Sequence, residues 1–301
     1  MKKTMQFIGF KLFLLFEKFL MLLPKKVRRA FFIMLGDIAR LVAKKHRNII
    51  RANLKFVYND KATEEFISDV TKYQFRLLAL NFLQTIESRY YSIEEIAKNV
   101  TFENDEVVKK AIQEKRPIIF VTAHYGAWEL GGNLLSALYT PILIIYKKMK
   151  NPYFEEYLLS SRAKWKMSYA ERHGATKAIL KTLKKGGATA ILIDTNIRKK
   201  DGIKVEFLGH QVTQIKTTAY FARKLNAALI PSLIHTKDDK HYTIKFYNEI
   251  IPPKTDNEEE DIKASVQMQT EWLSKEIFKE PKPWFWLHRR FKEDYPEIYK
   301  K

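Results

Sequence analysis

Residues 117–135 read Pro117-Ile118-Ile119-Phe120-Val121-Thr122-Ala123-His124-Tyr125-Gly126-Ala127-Trp128-Glu129-Leu130-Gly131-Gly132-Asn133-Leu134-Leu135. The unbroken apolar run 118–121 is the pattern of a strand buried on both faces. It gives way to a small residue and a histidine, Gly126 supplies a turn, and a helical stretch opens at Trp128-Glu129-Leu130. A titratable base therefore stands at a strand-to-helix corner, with a carboxylate in the first turn that follows. Five residues apart on one helix, two side chains diverge by roughly 140°. His124 and Glu129 can meet only if the histidine precedes the helix and the chain folds back at Gly126. The carboxylate would then hold one imidazole nitrogen and leave the other facing a substrate hydroxyl. The alternative is a strand-end histidine bonded to backbone and a glutamate favoured by the helix dipole. Spacing alone leaves both open.

Outward from this corner, strand and helix patterns alternate. Before it, 31–99 is helical with few breakers, and Thr63-Glu64-Glu65 reads as a capped start. A short helix is expected at 106–114. After it, strands are expected at 142–146, 188–193, 228–235 and 241–247. Helices are expected from the 147–150 basic segment to Arg162, at 175–185, at 217–225 and at 261–279. This order predicts an α/β fold, a central mostly parallel sheet flanked by helices on both faces. The carboxyl ends of such strands form the usual site of open α/β sheets, and three of them carry polar groups: His124, the segment 147–150, and Asp194. Asp194 reads equally as a turn cap, and Arg162 as a solvated helix residue.

The 301 residues form one large or two small domains. We divide them into a membrane-associating helix with its basic flank, 1–30, and a single α/β domain, 31–301. The segment 5–23 is mostly apolar yet carries Lys11, Glu17 and Lys18. Each such charge costs roughly 2.5–3.5 kcal/mol at a bilayer centre, whereas a helix lying in the interface tolerates them. The expectation is an interfacial or shallowly inserted anchor, with a tilted span or a soluble core helix as the other readings. Pro24-Lys25-Lys26-Val27-Arg28-Arg29 follows in place of a cleavage site, and its charge suits phosphate headgroups on the cytoplasmic side. The formal charge of +20 points to polyanionic partners, whether anionic lipid, acidic protein or nucleic acid.

With no cysteine, thiolate chemistry is excluded. There is no Gly-x-Ser-x-Gly elbow, no phosphate-cradling glycine loop and no His-Glu-x-x-His. The other histidines (46, 173, 210, 235, 241 and 288) lack metal-ligand spacing, so no metal and no cofactor are expected. A histidine base acting directly on a hydroxyl is the simplest chemistry left. Nucleic-acid binding is the rival from charge, but no recognised signature for it is present. A non-catalytic membrane scaffold is a second rival.

His124-Tyr125-Gly126-Ala127-Trp128-Glu129-Leu130 resembles the His-Phe-Gly-Asn-Trp-Glu form of the bacterial late acyltransferases of lipid A biosynthesis, the lauroyl/myristoyl type within the lysophospholipid acyltransferase superfamily. The segment from His46 to Leu54 resembles that family's early Arg/Asn-Leu stretch. The stretch from Ile144 to Arg162 resembles its tyrosine-arginine region, with Lys147 in place of an arginine. Asp194-Thr195 stands where the family has Asp-Gln, and Gly202 to Gly209 resembles its Gly-x-x-Val-x-Phe-Phe-Gly segment. Pro283-Trp284-Phe285-Trp286-Leu287-His288-Arg289-Arg290 resembles its Trp-x-Trp-x-His-Arg-Arg signature.

The resemblance implies transfer of a fatty acyl chain from acyl carrier protein to a hydroxyl of a lipid A precursor, at the cytoplasmic face of the cell inner membrane. It implies His124 as general base and Glu129 as its orienting partner, with no covalent enzyme intermediate. Arg162, Asp194 and backbone near Gly126 would handle the acceptor and the oxyanion. Another phospholipid or glycolipid acceptor is the alternative within the same chemistry.

Overall fold

A computed structural model describes residues 2–300. The chain begins with a helical layer: α1 (Lys2–Leu22), α2 (Lys25–Val42), α3 (Lys44–Tyr58), α4 (Glu64–Glu87) and the short α5 (Ile93–Ala97). Thr63 caps α4, its hydroxyl accepting the Phe66 N–H at 3.2 Å. Then follow β1 (Val100–Glu103), α6 (Glu106–Gln113), β2 (Ile118–Thr122), α7 (Trp128–Leu138), β3 (Ile142–Tyr146), α8 (Pro152–Ala163), β4 (Ser168–Glu171), α9 (Ala175–Lys184) and β5 (Ala188–Leu192). The remainder comprises β6 (Gly202–Phe207), β7 (His210–Ile215), α10 (Thr217–Leu225), β8 (Ala228–Thr236), β9 (Tyr242–Phe246) and α11 (Glu258–Lys279).

Seven strands form one sheet in the order β1-β9-β8-β2-β5-β3-β4, parallel except at the β8–β9 hairpin. This bears out the α/β expectation. Strands β1 and β4, four residues each with mixed burial, were beyond the reach of sequence pattern. The antiparallel pair β6–β7, a further addition to the expected strands, stands apart from the main sheet.

Strand β2 lies at the centre and reads as it packs. Ile118 and Phe120 join one apolar cluster with α7; Ile119 and Val121 join the cluster on the other face with α9 and α11. Period-2 alternation therefore feeds two cores from a single run of apolar residues, which is why that run carries no polar side.

Among the described residues no helix is long and apolar enough to cross a membrane. Helix α1 instead lies against the body of the protein. Phe10 and Phe13 meet Tyr153, Phe154 and Tyr157 of α8 at ring separations of 5.2–6.2 Å. Glu17, one of the charges that disfavours a span, is buried beside Arg89 at 3.3 Å. Its remaining face shows Met5, Ile8, Leu12, Leu15, Phe19 and Leu22 to solvent.

Helix α2 is fixed on α4 by a close backbone approach at Gly36, by the Asp37–Arg76 pair (2.6 Å), and by buried Arg28, which reaches Glu87 (2.9 Å) and the Leu23 carbonyl (2.7 Å). A Cβ at Gly36 would lie 2.8 Å from the Phe75 carbonyl oxygen. Gly36→Ala is therefore expected to destabilise the protein by about 1–3 kcal/mol as α2 is pushed off α4. Chemical unfolding in detergent, compared with wild type, measures this.

Candidate active site

Strands β2 and β5 pair parallel with Thr122 opposite Leu192. Two residues further along each lie His124 and Asp194, so the register that aligns the strands also aligns these two side chains beyond the carboxyl ends. Neighbouring strands are roughly 4.8 Å apart, and the side chains close that gap. His124 Nδ1 lies 2.9 Å from Asp194 Oδ1, and the His124 backbone N–H donates to Asp194 Oδ2 at 2.9 Å. The indole N–H of Trp284 donates to the same Oδ2 at 3.0 Å.

Asp194 is 4% exposed. Burial works against its charge, but the His124 imidazole and the donors around it outweigh that and hold its carboxyl below the usual range. For His124, burial opposes the imidazolium, while the charge and hydrogen bond of Asp194 and the charge of Glu129 favour it; the net direction is upward. With Nδ1–H given to Asp194, the neutral imidazole presents Nε2 with a free lone pair.

This corrects the expected dyad. The Glu129 carboxylate does not take the imidazole: both its oxygens accept from Arg162 Nη2, at 2.7 and 2.6 Å. The reason is geometric. Glu129 sits inside α7, beyond the turn, whereas Asp194 is delivered by the adjacent strand in register with the histidine. Glu129 stays close enough for its charge to act on the ring. Arg162, from α8, also packs over the Tyr169 ring at 5.4 Å.

Gly126 has φ +58°, and a Cβ there would run into the Ile234 carbonyl oxygen. Its N–H, expected near an oxyanion, is already given to the Pro283 carbonyl at 3.0 Å. The unclaimed donors are those of the first α7 turn, which begins after Ala127 without a side-chain cap. The basic segment 147–150 does not join the cluster. Lys148 pairs with Glu171 at 3.5 Å, and the Met149 N–H goes to Glu155 at 2.8 Å.

The brace behind the corner comes from 281–291. The Phe285 N–H donates to the His124 carbonyl at 2.9 Å, and the Phe285 ring lies 5.8 Å from the imidazole. Amide side chains of the helical layer hold this segment. Asn53 donates to the Trp286 and His288 carbonyls, both at 2.8 Å, Gln74 donates to the Lys282 carbonyl at 2.6 Å, and Asn81 donates to the Gly126 carbonyl at 3.1 Å. Below them Arg290 is fully buried against Gln214 (2.6 Å) and the Phe207 ring, and burial pushes its guanidinium down to about 10.

The role of Trp284 as a donor to Asp194 was not read from the sequence. The only signal for it was the tryptophan-rich stretch itself, since an indole N–H that is buried needs an acceptor.

A largely apolar cavity opens at this end of the sheet, lined in part by Thr122 and Tyr125 on either side of His124 in the chain. Its wall includes Phe120, Trp128, Gly132, Leu135, Met167 and Ile244, with Glu129 and Arg162 as the charged pair. Trp128, whose ring lies 5.4 Å from the imidazole, is part of the wall.

The mostly parallel sheet thus carries a buried carboxylate paired with a histidine at its central strand ends, next to an apolar cavity. The profile of bacterial lipid A biosynthesis acyltransferases matches residues 2–293, and the chain belongs to that family. It is an acyltransferase of lipid A biosynthesis.

It is 23% identical over 260 residues to the lipid A biosynthesis palmitoleoyltransferase of Escherichia coli strain K12, covering 86% of this chain and 82% of that protein. To the lauroyltransferase of the same strain it is 24% identical over 260 residues, covering 86% and 83%. A lipid A biosynthesis acyltransferase of Haemophilus influenzae is 24% identical over 265 residues, covering 86% and 82%.

An NMR titration of the histidine ring is expected to place the His124 midpoint above 6.5. In Asp194→Asn the favourable charge is lost while burial remains, so the midpoint should fall.

Proposed function

We propose that this acyltransferase moves a fatty acyl chain from acyl carrier protein to a hydroxyl of a lipid A precursor, by direct attack of the alcohol on the thioester. The observation that carries the reading is the Nδ1 contact of His124 with Asp194, because it leaves Nε2 as the basic atom. Nε2 takes the hydroxyl proton as the oxygen attacks the thioester carbonyl. The imidazolium so formed is stabilised by Asp194 and by the charge of Glu129. Collapse of the tetrahedral adduct expels the carrier thiolate, which takes up the proton from the imidazolium. No covalent enzyme intermediate is needed, and none of these steps calls on a cofactor.

Glu129 serves as the anchor of Arg162, whose guanidinium is assigned to an anionic group of the acceptor or to the developing oxyanion. The apolar cavity takes the acyl chain. The net charge of +20 suits both an acidic carrier protein and phosphorylated lipid. The exposed apolar face of α1 holds the enzyme in the plane of the inner membrane at its cytoplasmic face, as an interfacial helix. Nucleic acid is not a partner in this reading.

His124→Ala, purified in detergent and assayed for acyl transfer to a lipid A precursor, is expected to lose about 10²–10⁴-fold in kcat. Turnover like wild type would remove the base. In wild type, kcat/KM should rise with pH through the upshifted His124 midpoint, because the base must be neutral.

Gly132 borders the cavity, and a Cβ there would lie 3.3 Å from the Met167 methyl. Gly132→Val is therefore expected to shift preference towards shorter acyl donors. Competition between two carrier-bound chain lengths, read by mass spectrometry, checks this.

A further inference from the structure

We propose that α2, independently of α1, is a rigid bilayer-docking ledge whose partner is the surface of an anionic membrane. The inference rests on the membrane reading above and names the surface responsible. Around the α2 axis, Val27, Phe31, Met34, Leu35, Ile38, Leu41 and Val42 fall within an arc of about 120° at 100° per residue. No charged residue of α2 lies inside that arc: Lys25, Lys26, Arg28, Arg29, Asp37 and Arg40 all project outside it. Apart from half-buried Phe31, every residue of the arc is exposed, Leu41 at 66% and Val42 at 77%.

This stripe stays bare although α1 and α4 both pack against the same helix. Its orientation is fixed by the Gly36 approach to Phe75 on the opposite side of α2, and by buried Arg28 and the Asp37–Arg76 pair on the two flanks, so the helix cannot roll to hide it. An apolar stripe of this extent on a folded surface marks an interaction site.

Charge decides the occupant. Exposed Lys25 and Lys26 precede the stripe, and exposed Lys44 and Lys45 follow it. An apolar band with cations at both ends matches acyl chains below phosphate headgroups. A second copy of this chain would set the same cations against one another. The band also meets α1 at its edge, where the Phe31 ring lies 6.2 Å from that of exposed Phe16.

The test uses the full chain with Ile38→Glu/Leu41→Glu, and Gln113→Glu/Ser168→Glu as the charge-matched control on other exposed positions. Flotation with vesicles of phosphatidylethanolamine and phosphatidylglycerol (3:1) should show at least about a tenfold loss of binding for the α2 variant and none for the control. Added salt should weaken wild-type binding, and acyl transfer in detergent micelles should be unchanged for both variants.

Because the chain has no cysteine, Leu41→Cys gives a single labelling site without adding charge. An environment-sensitive fluorophore there should shift to the blue on adding the same vesicles, whereas one at Gln113→Cys should not. Unchanged flotation of the glutamate variant, or no shift at position 41, overturns the proposal. So does a change in the particle mass in detergent with vesicle binding intact, which would make the stripe a contact between copies. A failure of the catalytic reading shows separately, as wild-type turnover in His124→Ala with the vesicle result unaffected.

Discussion

One buried carboxylate ties the molecule together. Asp194 accepts from the backbone and ring of His124 and from the indole of Trp284, so it joins two central strands to a segment ninety residues further along the chain. A charge this deep is tolerated only because its oxygens are met by donors and an imidazole. The ring it holds is thereby fixed in tautomer and direction. Remove the carboxylate and three groups lose their partner together, one of them the backbone that sets the corner.

The central strand, the helix after it and the glycine between were legible because each follows from local rules: an apolar run, a helix opening at Trp128-Glu129, and a residue able to take positive φ. The convergence of His124 and Asp194 at strand ends was legible too, from the rule that open α/β sheets gather polar groups there. The pairing partner was not. Glu129 is near in sequence and Asp194 is seventy residues away. What places Asp194 is the register of β2 with β5, which no local pattern records. The two four-residue strands escaped for another reason: they are short and only partly buried, so hydrophobic periodicity has little to act on. The β6–β7 hairpin does carry a local signal, the alternation Ile203-Lys204-Val205-Glu206-Phe207 with Val205 and Phe207 buried.

The helical layer has two duties that the sequence shows in different ways. Towards the sheet it presents amides, Asn53, Gln74 and Asn81, each nearly or fully buried and each donating to a backbone carbonyl of the corner or its brace. Away from the sheet it presents bare hydrocarbon. Glu17 sits between these faces, drawn inward to Arg89 instead of outward to water. A charge within an apolar helix that argues against spanning a bilayer is thus also a docking pin onto the folded body.

The stitching of 283–285 onto His124 and Gly126 has a consequence for how the enzyme is made. A ribosome that has finished residue 280 has already produced His124, Asp194 and the whole seven-stranded sheet. It has not produced the indole that completes the carboxylate's shell or the peptide that pins the corner. The corner is therefore set only once 281–291 has been made, and whatever depends on its geometry waits for that segment.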